Sequence, residues 1–188
     1  MKISRWNVIL VAALFTGCGD RNVVLKVDLA SHLNASDKHY VLPSVPVTPG
    51  GLVVGEQPLV ADQHVNMLGG MGDAIVVRDV RLTLTTIANA TSGSGTATVR
   101  VYASDEATNP ATTSPVVTQD LSFTAGVPDT VSSSFLDNAR MTSLFAQKAL
   151  RLRITASLHG PSTGVDPLQG DLTIHRLDAV VVAGRKRL

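Results

Sequence analysis

Few side chains in this sequence have a type and spacing that suggest catalysis. The chain has five histidines, which are His32, His39, His64, His159 and His175. No two of them have the i, i+4 spacing of a helical zinc-protease motif. Asp62 and His64 would share one face of a strand, as an acid–base pair or two metal ligands would. A solvated polar strand edge explains the same spacing, and we favour that interpretation.

A serine nucleophile is not indicated. Ser94 lies in Gly93-Ser94-Gly95, but a nucleophile elbow needs Gly-x-Ser-x-Gly between a strand and a helix. Both flanks here have a strand pattern, so we predict a hairpin turn. No glycine-rich loop leads into a Lys-Ser or Lys-Thr pair, so a phosphate-binding loop is not indicated either. We therefore expect a protein that is not an enzyme, with an unrecognised hydrolase as the least favoured alternative.

Acidic residues in loops leave calcium binding open. They are Asp105, Glu106, Asp129, Asp166 and Asp171. Calcium takes six to eight oxygens and accepts backbone carbonyls, so the rim of a β-sandwich can bind it without a sequence motif. Aspartate also favours loops because its side chain caps turns. We predict no cofactor and keep a calcium site as an alternative.

Basic residues form two groups. Arg151 and Arg153 share one face of a predicted strand, and Arg100 or Arg81 could lie on a neighbouring strand. The second group is Arg185, Lys186 and Arg187. Both groups could contact lipid phosphates or an acidic partner, with about 1 kcal/mol from each cation near an anionic surface. Arginines that keep an exposed strand face soluble are the alternative.

Composition excludes several classes of protein. Sixteen Lys+Arg against fifteen Asp+Glu give a net charge of +1, so a nucleic-acid binder is not indicated. A hydrophobic content of 44% excludes wholesale disorder. The single cysteine excludes an intramolecular disulfide framework and a cysteine-rich zinc site. The length of 188 residues suits one domain.

Alternating hydrophobic and polar residues predict β-strands. Residues 150–158 alternate most clearly, because leucine, isoleucine and alanine occupy the even positions. Shorter or weaker runs occur at residues 25–29, 52–54, 64–68, 80–84, 98–101, 116–123, 172–174 and 180–182. This pattern is typical of antiparallel sheets with one face in water.

Turn and cap residues divide these strands. Asn109-Pro110, Val127-Pro128-Asp129 and Gly160-Pro161 predict connections, and Asp137 is a plausible N-cap for a helix over residues 138–148. We predict an all-β fold, a single antiparallel β-sandwich over residues 23–188. It would be immunoglobulin-like or jelly-roll-like and would contain one short helix.

The first residues have the pattern of an export signal. Lys2 and Arg5 precede an apolar run from Val8 to Phe15, and small residues follow up to Cys18. The segment Leu14-Phe15-Thr16-Gly17-Cys18 resembles the lipobox of bacterial lipoproteins. The resemblance implies that residues 1–17 are removed by a cut just before Cys18 and that Cys18 is lipidated. Phe15 departs from the Leu or Val usual at that position, and an ordinary signal peptide or an uncleaved anchor remains the alternative.

The same resemblance implies a location. Gly19 follows the cysteine, where the inner-membrane retention signal of the family has Asp, so we expect sorting to the outer membrane of a Gram-negative cell. Residues 18–22 would form the lipidated cysteine and a short tether. The four residues after the cysteine reach at most about 14 Å. The strand pattern of the remainder is similar to that of small outer-membrane lipoproteins with one β-sandwich domain, a group without an established activity.

These observations favour a lipid-anchored cell-envelope protein that acts by non-enzymatic contact. It would be an accessory or scaffold subunit of a membrane assembly, with the membrane and an envelope protein as partners. A glycan- or calcium-binding module is the alternative. Sugar rings usually stack on exposed aromatic side chains. The chain after residue 17 has Tyr40 and Tyr102 but no tryptophan, which lowers the expectation of a stacking glycan site.

Overall fold

The computed structural model of the chain describes residues 22–67, 75–135 and 138–185. The strands are β1 (Val23–Asp28), β2 (His39–Val41), β3 (Val53–Asn66), β4 (Ile75–Ser92), β5 (Ser94–Ser104), β6 (Val117–Thr124), β7 (Asp129–Phe135), β8 (Ala149–His159) and β9 (Gln169–Arg185). The α-helices are α1 (Ala35–Lys38) and α2 (Asn138–Phe145). Short 3-10 turns occur at Ala30–His32 and Pro110–Thr112. None of the helices in these ranges is long and apolar enough to cross a membrane.

The strands form two antiparallel sheets packed as a sandwich. Sheet I has the order β1-β9-β4-β7, with β2 also paired to β9, and sheet II has the order β3-β8-β5-β6. The chain is folded back on itself, because β1 pairs with β9, β3 with β8, β4 with β7 and β5 with β6. This is the connectivity of a jelly roll. The predicted all-β sandwich is confirmed, and of its two variants the jelly roll is the one observed.

The connectivity gives the sandwich two distinct ends. At one end, which we call the terminal end, the first residues of β1 and β4 lie beside the last residues of β9. There Val23 pairs with Ala183 and Ile75 pairs with Arg185. The connections β3–β4, β5–β6 and β7–β8 lie at this end. The connections β2–β3, β4–β5, β6–β7 and β8–β9 lie at the opposite end, which we call the loop end.

The core lies between the two sheets and follows the alternation of the sequence. In β8, Leu150, Leu152 and Ile154 are buried and the intervening arginines face outward. Leu82 and Leu84 of β4 are buried on the facing side of sheet I. Burying a leucine or isoleucine side chain contributes about 1.5–3 kcal/mol relative to leaving it exposed.

Helix α2 packs against β4 and buries Met141, Leu144 and Phe145. It confirms a helix in the predicted region, but it ends at Phe145, and Lys148 precedes β8. Asp137, the predicted N-cap, lies outside the described residues. The single turn α1 is a helical segment that the sequence pattern did not predict.

The predicted hairpin at Gly93 is wrong. Gly93 connects β4 to β5, but β4 belongs to sheet I and β5 to sheet II, so the turn carries the chain from one sheet to the other. Glycine is required there because its φ is +66°, and a Cβ would lie 2.6 Å from the carbonyl oxygen of Pro167.

One buried polar contact joins the two sheets. Thr86 of β4 and Gln119 of β6 are buried, and the threonine hydroxyl donates to Gln119 Oε1 at 2.5 Å. Gln119 Nε2 donates to Ser133 Oγ on β7 at 3.1 Å. Because buried polar groups are costly unless hydrogen-bonded, this contact specifies how the sheets align.

Candidate functional site

The outer surface of sheet II carries an ordered group of charged side chains. Arg151 and Arg153 face outward because the even-numbered residues of β8 fill the core. On the neighbouring strand β5, Tyr102 is the register partner of Arg153 and Arg100 is the partner of Thr155. Register partners in a sheet point to the same side, so these side chains form one surface.

Strand β3 supplies a carboxylate to two of these arginines. Asp62 Oδ2 accepts a hydrogen bond from Arg151 Nη2 at 2.6 Å, and Asp62 Oδ1 lies 3.8 Å from Arg153 Nη1. About a quarter of the side chains of Arg151 and Asp62 is exposed, 23% and 24% respectively. The carboxylate therefore holds both guanidinium groups in place on the sheet.

A second carboxylate from β3 organises the other half of the surface. Glu56 Oε1 accepts hydrogen bonds from Arg100 Nη1 at 3.0 Å and from the Tyr102 hydroxyl at 2.8 Å. Arg100 also donates to Ser157 Oγ at 3.2 Å. Burial raises the pKa of Tyr102 above its ordinary value, and the neighbouring Glu56 carboxylate adds to this effect. The phenol is therefore a stable neutral donor at physiological pH.

We call this surface the arginine face; its residues are Glu56, Asp62, Arg100, Tyr102, Arg151 and Arg153. Three arginines stand against two carboxylates, so the face carries a net charge of +1. Every charge in it is paired across strands.

Asp62 and His64 lie on the same strand, as predicted, but they have different partners. Asp62 pairs with Arg151, whereas His64 Nδ1 lies 3.7 Å from Glu106 Oε1. Within the described ranges, no group of three or more His, Cys, Asp or Glu residues is placed to hold a metal ion. His64 is exposed at the edge of the sheet, whereas Asp62 is half-buried in ion pairs with arginines, so the two side chains do not form an acid–base pair with each other.

Two of the acidic loop residues considered for calcium, Asp105 and Asp129, accept hydrogen bonds from backbone N–H groups nearby in the sequence. Asp105 accepts hydrogen bonds from the backbone N–H groups of Ala107 and Thr108 at 3.1 and 2.8 Å. Hydrogen bonding from Thr108 lowers the pKa of the Asp105 carboxyl. Asp129 accepts from the backbone N–H of Ser122 at 2.9 Å. These carboxylates act as turn and loop caps.

A second candidate site is a cleft on the outer surface of sheet I at the loop end. Its volume is about 350 Å³, and it is lined by His39, Val41, Leu42, Ser44, Thr91, Gln169, Gly170 and Asp171. His39 Nδ1 lies 3.1 Å from Thr173 Oγ1 and 3.7 Å from Asp171 Oδ2. We call this the histidine cleft. It offers hydroxyl, amide, imidazole and carboxylate groups to a small polar ligand.

The predicted basic residues are only partly brought together. Arg151 and Arg153 share one face, and the neighbouring arginine is Arg100, because Arg81 lies on β4 in the other sheet. The backbone of Arg185 ends β9 in sheet I. The remaining predicted positions, Cys18, Lys186 and Arg187, lie outside the described residues. The carboxylate partners of the arginines were not predicted, because they are distant in the sequence: Asp62 is 89 residues from Arg151.

The chain matches no protein-family model and no curated protein. It is similar to several solved structures at low identity. A chain of the infectious bursal disease virus Gt strain has 13% identity and a TM-score of 0.41, and the match covers 100% of this chain and 43% of the viral chain. A chain of dimeric latent PorU from Porphyromonas gingivalis has 13% identity and a TM-score of 0.36 over 94% of this chain and 14% of that one.

A third structure, described as a CBM4, has 12% identity and a TM-score of 0.30 and covers 71% of this chain and 89% of its own. The chain thus spans less than half the length of the viral chain that it matches. These similarities assign no function to the chain.

Proposed function

We propose that this chain is a lipid-anchored envelope protein that acts by non-enzymatic contact, as an accessory or scaffold subunit of a membrane-associated assembly. Its contact surface is the arginine face. The observation that carries this proposal is the cross-strand pairing of three arginines and the buried Tyr102 with Glu56 and Asp62 on the outer side of sheet II.

The composition of the arginine face is typical of protein interfaces. Arginine and tyrosine are enriched in interfaces and among the residues that contribute most to binding. Side chains that are already held in one conformation lose less entropy when a partner binds. Asp62 and Glu56 supply this ordering, because each holds two side chains at once.

The charge pattern favours a protein partner with charges of both signs. A purely anionic surface would compete with Asp62 and Glu56 for the same guanidinium groups and would be repelled by both carboxylates. A partner that presents carboxylates beside Arg100 and Arg153 and a cation beside Glu56 would complement the pattern. Such complementarity gives specificity more than raw affinity.

The anchor is the second part of the proposal. Cleavage after residue 17 and acylation of Cys18 would place the domain at the outer membrane, on a tether of about 14 Å at most. Single acyl chains bind membranes only marginally, whereas two or more give stable attachment. The lipid then limits the partners to those at the same membrane surface.

Co-purification from native membranes tests the contact. The protein is solubilised in mild detergent as wild type, Arg153→Glu, His175→Ala and Cys18→Ala. His175 is exposed on β9 in the other sheet and serves as the matched control. We expect one stoichiometric envelope protein with the wild type and with His175→Ala, and its loss with Arg153→Glu and Cys18→Ala. Retention of the partner by Arg153→Glu would contradict the assignment of the arginine face as the contact surface. Mass spectrometry of the N-terminal peptide tests separately whether Cys18 is acylated.

The histidine cleft favours a second candidate function, binding of a neutral glycan. Its hydroxyl, amide and imidazole groups suit sugar hydroxyls, and Val41 offers an apolar wall. Titration with a glycan panel, with and without calcium, is the test. Binding that is lost in His39→Ala and kept in His175→Ala would support the cleft, and calcium-dependent binding or melting would implicate the ion. Absence of binding across the panel would remove this candidate.

A further inference from the structure

We infer that the outer surface of sheet I at the terminal end is a membrane-docking face, which lies on the lipid headgroups of the bilayer that holds the anchor. This inference rests on the proposed lipidation of Cys18. It adds a defined orientation of the domain, which lipidation alone does not require.

The surface is a patch of outward-facing valines, which we call the valine face; its members are Val24, Val76, Val180 and Val182. Val24 is the register partner of Val182, and both lie on the side of sheet I opposite the core residues Val181 and Ala183. Val24 is 61% exposed and Val76 is 42% exposed, and both belong to the seven exposed large hydrophobic residues in the described part of the chain. Exposed apolar patches bordered by polar residues mark protein or membrane contacts.

Cationic side chains border the valines. Arg81 is the register partner of Val180, and so is Lys26 on the other side. The guanidinium of Arg78 lies over Gly184, with Nε 2.5 Å from the position that a Cβ would take there. Glycine at 184 therefore lets this arginine lie flat against β9.

Arg78 and Arg81 are more exposed than Asp79 and Asp178, whereas Asp28, the register partner of Asp178, is exposed as they are. Arg78 and Arg81 make no ion pair with other described residues, and both are exposed. Asp178 is only 5% exposed, and it is covered by Lys26 at 3.2 Å and by Arg176. Asp79 is the register partner of Val182 and is half-buried, and its Oδ1 has no hydrogen-bond partner among the described residues. A surface of valines bordered by arginine and lysine is the composition that binds at the interface of an anionic bilayer.

The start of the described chain indicates which partner covers this face. Asn22 precedes β1 directly, and Val24 is the second residue of that strand. Only residues 19–22 separate the strand from Cys18, a reach of about 14 Å. An acylated Cys18 therefore holds the start of β1 within about 14 Å of the bilayer, which is about three strand spacings, whereas the loop end lies a whole sandwich length away. The bilayer is the one large surface that this tether brings to the valines.

The lack of tryptophan after residue 17 allows a direct test. The only tryptophan of the sequence is Trp6, which lies in the proposed signal peptide. A single tryptophan introduced into the processed protein therefore reports how deeply that position lies in the bilayer. The processed protein, which begins at a lipidated Cys18 and carries Val24→Trp, is reconstituted into phosphatidylglycerol-containing vesicles with brominated phosphatidylcholine. Val165→Trp, at a loop-end position that is 90% exposed, is the matched control. Both positions are exposed, and circular dichroism confirms that each variant is folded.

We expect both variants to float with the vesicles, but only Val24→Trp to show a blue-shifted emission and quenching by the brominated lipid. Flotation without quenching of Val24→Trp, or with equal quenching of both positions, would overturn the docking face and leave the anchor intact. A protein without an acylated Cys18 that does not float would overturn the anchor and the docking face together.

Charge variants test the cationic border separately from the anchor. In the Val24→Trp background, the double change Arg78→Glu and Arg81→Glu should reduce quenching in phosphatidylglycerol vesicles without reducing flotation. Arg153→Glu, on the other sheet, should leave quenching unchanged. Equal quenching in all three proteins would contradict a role for these arginines in docking.

Discussion

Replacing Thr86 by valine tests whether the buried contact between the sheets is as important as the fold indicates. Valine has nearly the same shape as threonine but lacks the hydroxyl that donates to Gln119 Oε1 at 2.5 Å. Gln119 is 3% exposed, so its carbonyl oxygen would remain buried after the change. Water has little access to it, and among the described residues no other side chain donates a hydrogen bond to this oxygen.

The expected cost follows from this unpaired oxygen. Leaving a buried acceptor unsatisfied costs about 1–3 kcal/mol. For a domain of this size, 1 kcal/mol shifts the melting temperature by about 2–4 °C, so Thr86→Val should melt about 2–12 °C lower. The free energy of unfolding should fall without a change in the urea m-value, because the surface exposed on unfolding is the same.

Urea unfolding of the chain after residue 17, made as Cys18→Ala to avoid lipidation, measures this cost. Thr83→Val is the matched control on the same strand, because its hydroxyl faces Ser134 at 3.2 Å on the outer surface. Its effect should stay within about 0.5 kcal/mol. Equal effects of Thr86→Val and Thr83→Val would refute the reasoning. A further Gln119→Met change should cost less in the Thr86→Val background than alone, because both partners are then apolar.

Two further predictions concern the phenol and a glycine. In Tyr40→Phe, absorbance titration should give Tyr102 a pKa above its ordinary value of 10.0, and Glu56→Gln should lower it. Because the folded state favours the protonated phenol, this stabilisation is complete below about pH 10 and is lost as pH rises through the folded pKa. Gly170→Ala should lower the free energy of unfolding by about 1–3 kcal/mol, since its Cβ would lie 2.0 Å from a backbone oxygen of β4. Gly55→Ala, with no atom within 4 Å, should be neutral in the same melting assay.

The strands that were predicted best are those in which buried and outward-facing residues alternate regularly along the sequence. In β8, every second residue of the segment from Leu150 to Leu158 is buried, so hydrophobic alternation alone identifies it. Strand β3 was predicted only as two short pieces, because register shifts between Val54 and Gln57 and between Val60 and Gln63 break its period of two. A bulge adds one residue to the strand and so changes which of the following side chains face the core. Hydrophobic alternation with a period of two is therefore interrupted there.

The connectivity was less predictable than the strands. Turn residues around Gly93 specify a reversal of the chain, but they do not specify whether the flanking strands pair. In this fold β4 and β5 pair with strands far along the chain, since β4 lies between β9 and β7 and β5 between β8 and β6. Only the packing of the two sheets decides between a hairpin and a crossing, and no local signal encodes that packing.

The candidate site was predicted in part for the same reason. Alternation places Arg151 and Arg153 on one outer face, and this prediction is confirmed. Whether a strand carrying Arg100 or one carrying Arg81 lies beside them depends on strand order. The pairing of the arginines with Asp62 depends on a bulged strand that was not recognised as continuous. A cationic patch predicted from sequence is therefore a charge-paired surface in the structure.

The two proposed surfaces are compatible because they belong to opposite sides of the sandwich. If the valine face of sheet I lies on the bilayer, the arginine face of sheet II points away from it and is open to a protein partner. The histidine cleft is less compatible, because His39, Asp171 and Thr173 lie on the outer side of sheet I, the same side as Val24 and Val182. A domain resting on that side leaves a large glycan little access to the cleft. Quenching of Val24→Trp by brominated lipid would therefore also argue against the glycan-binding alternative, whereas its absence would leave the cleft exposed and make glycan titration the more informative experiment.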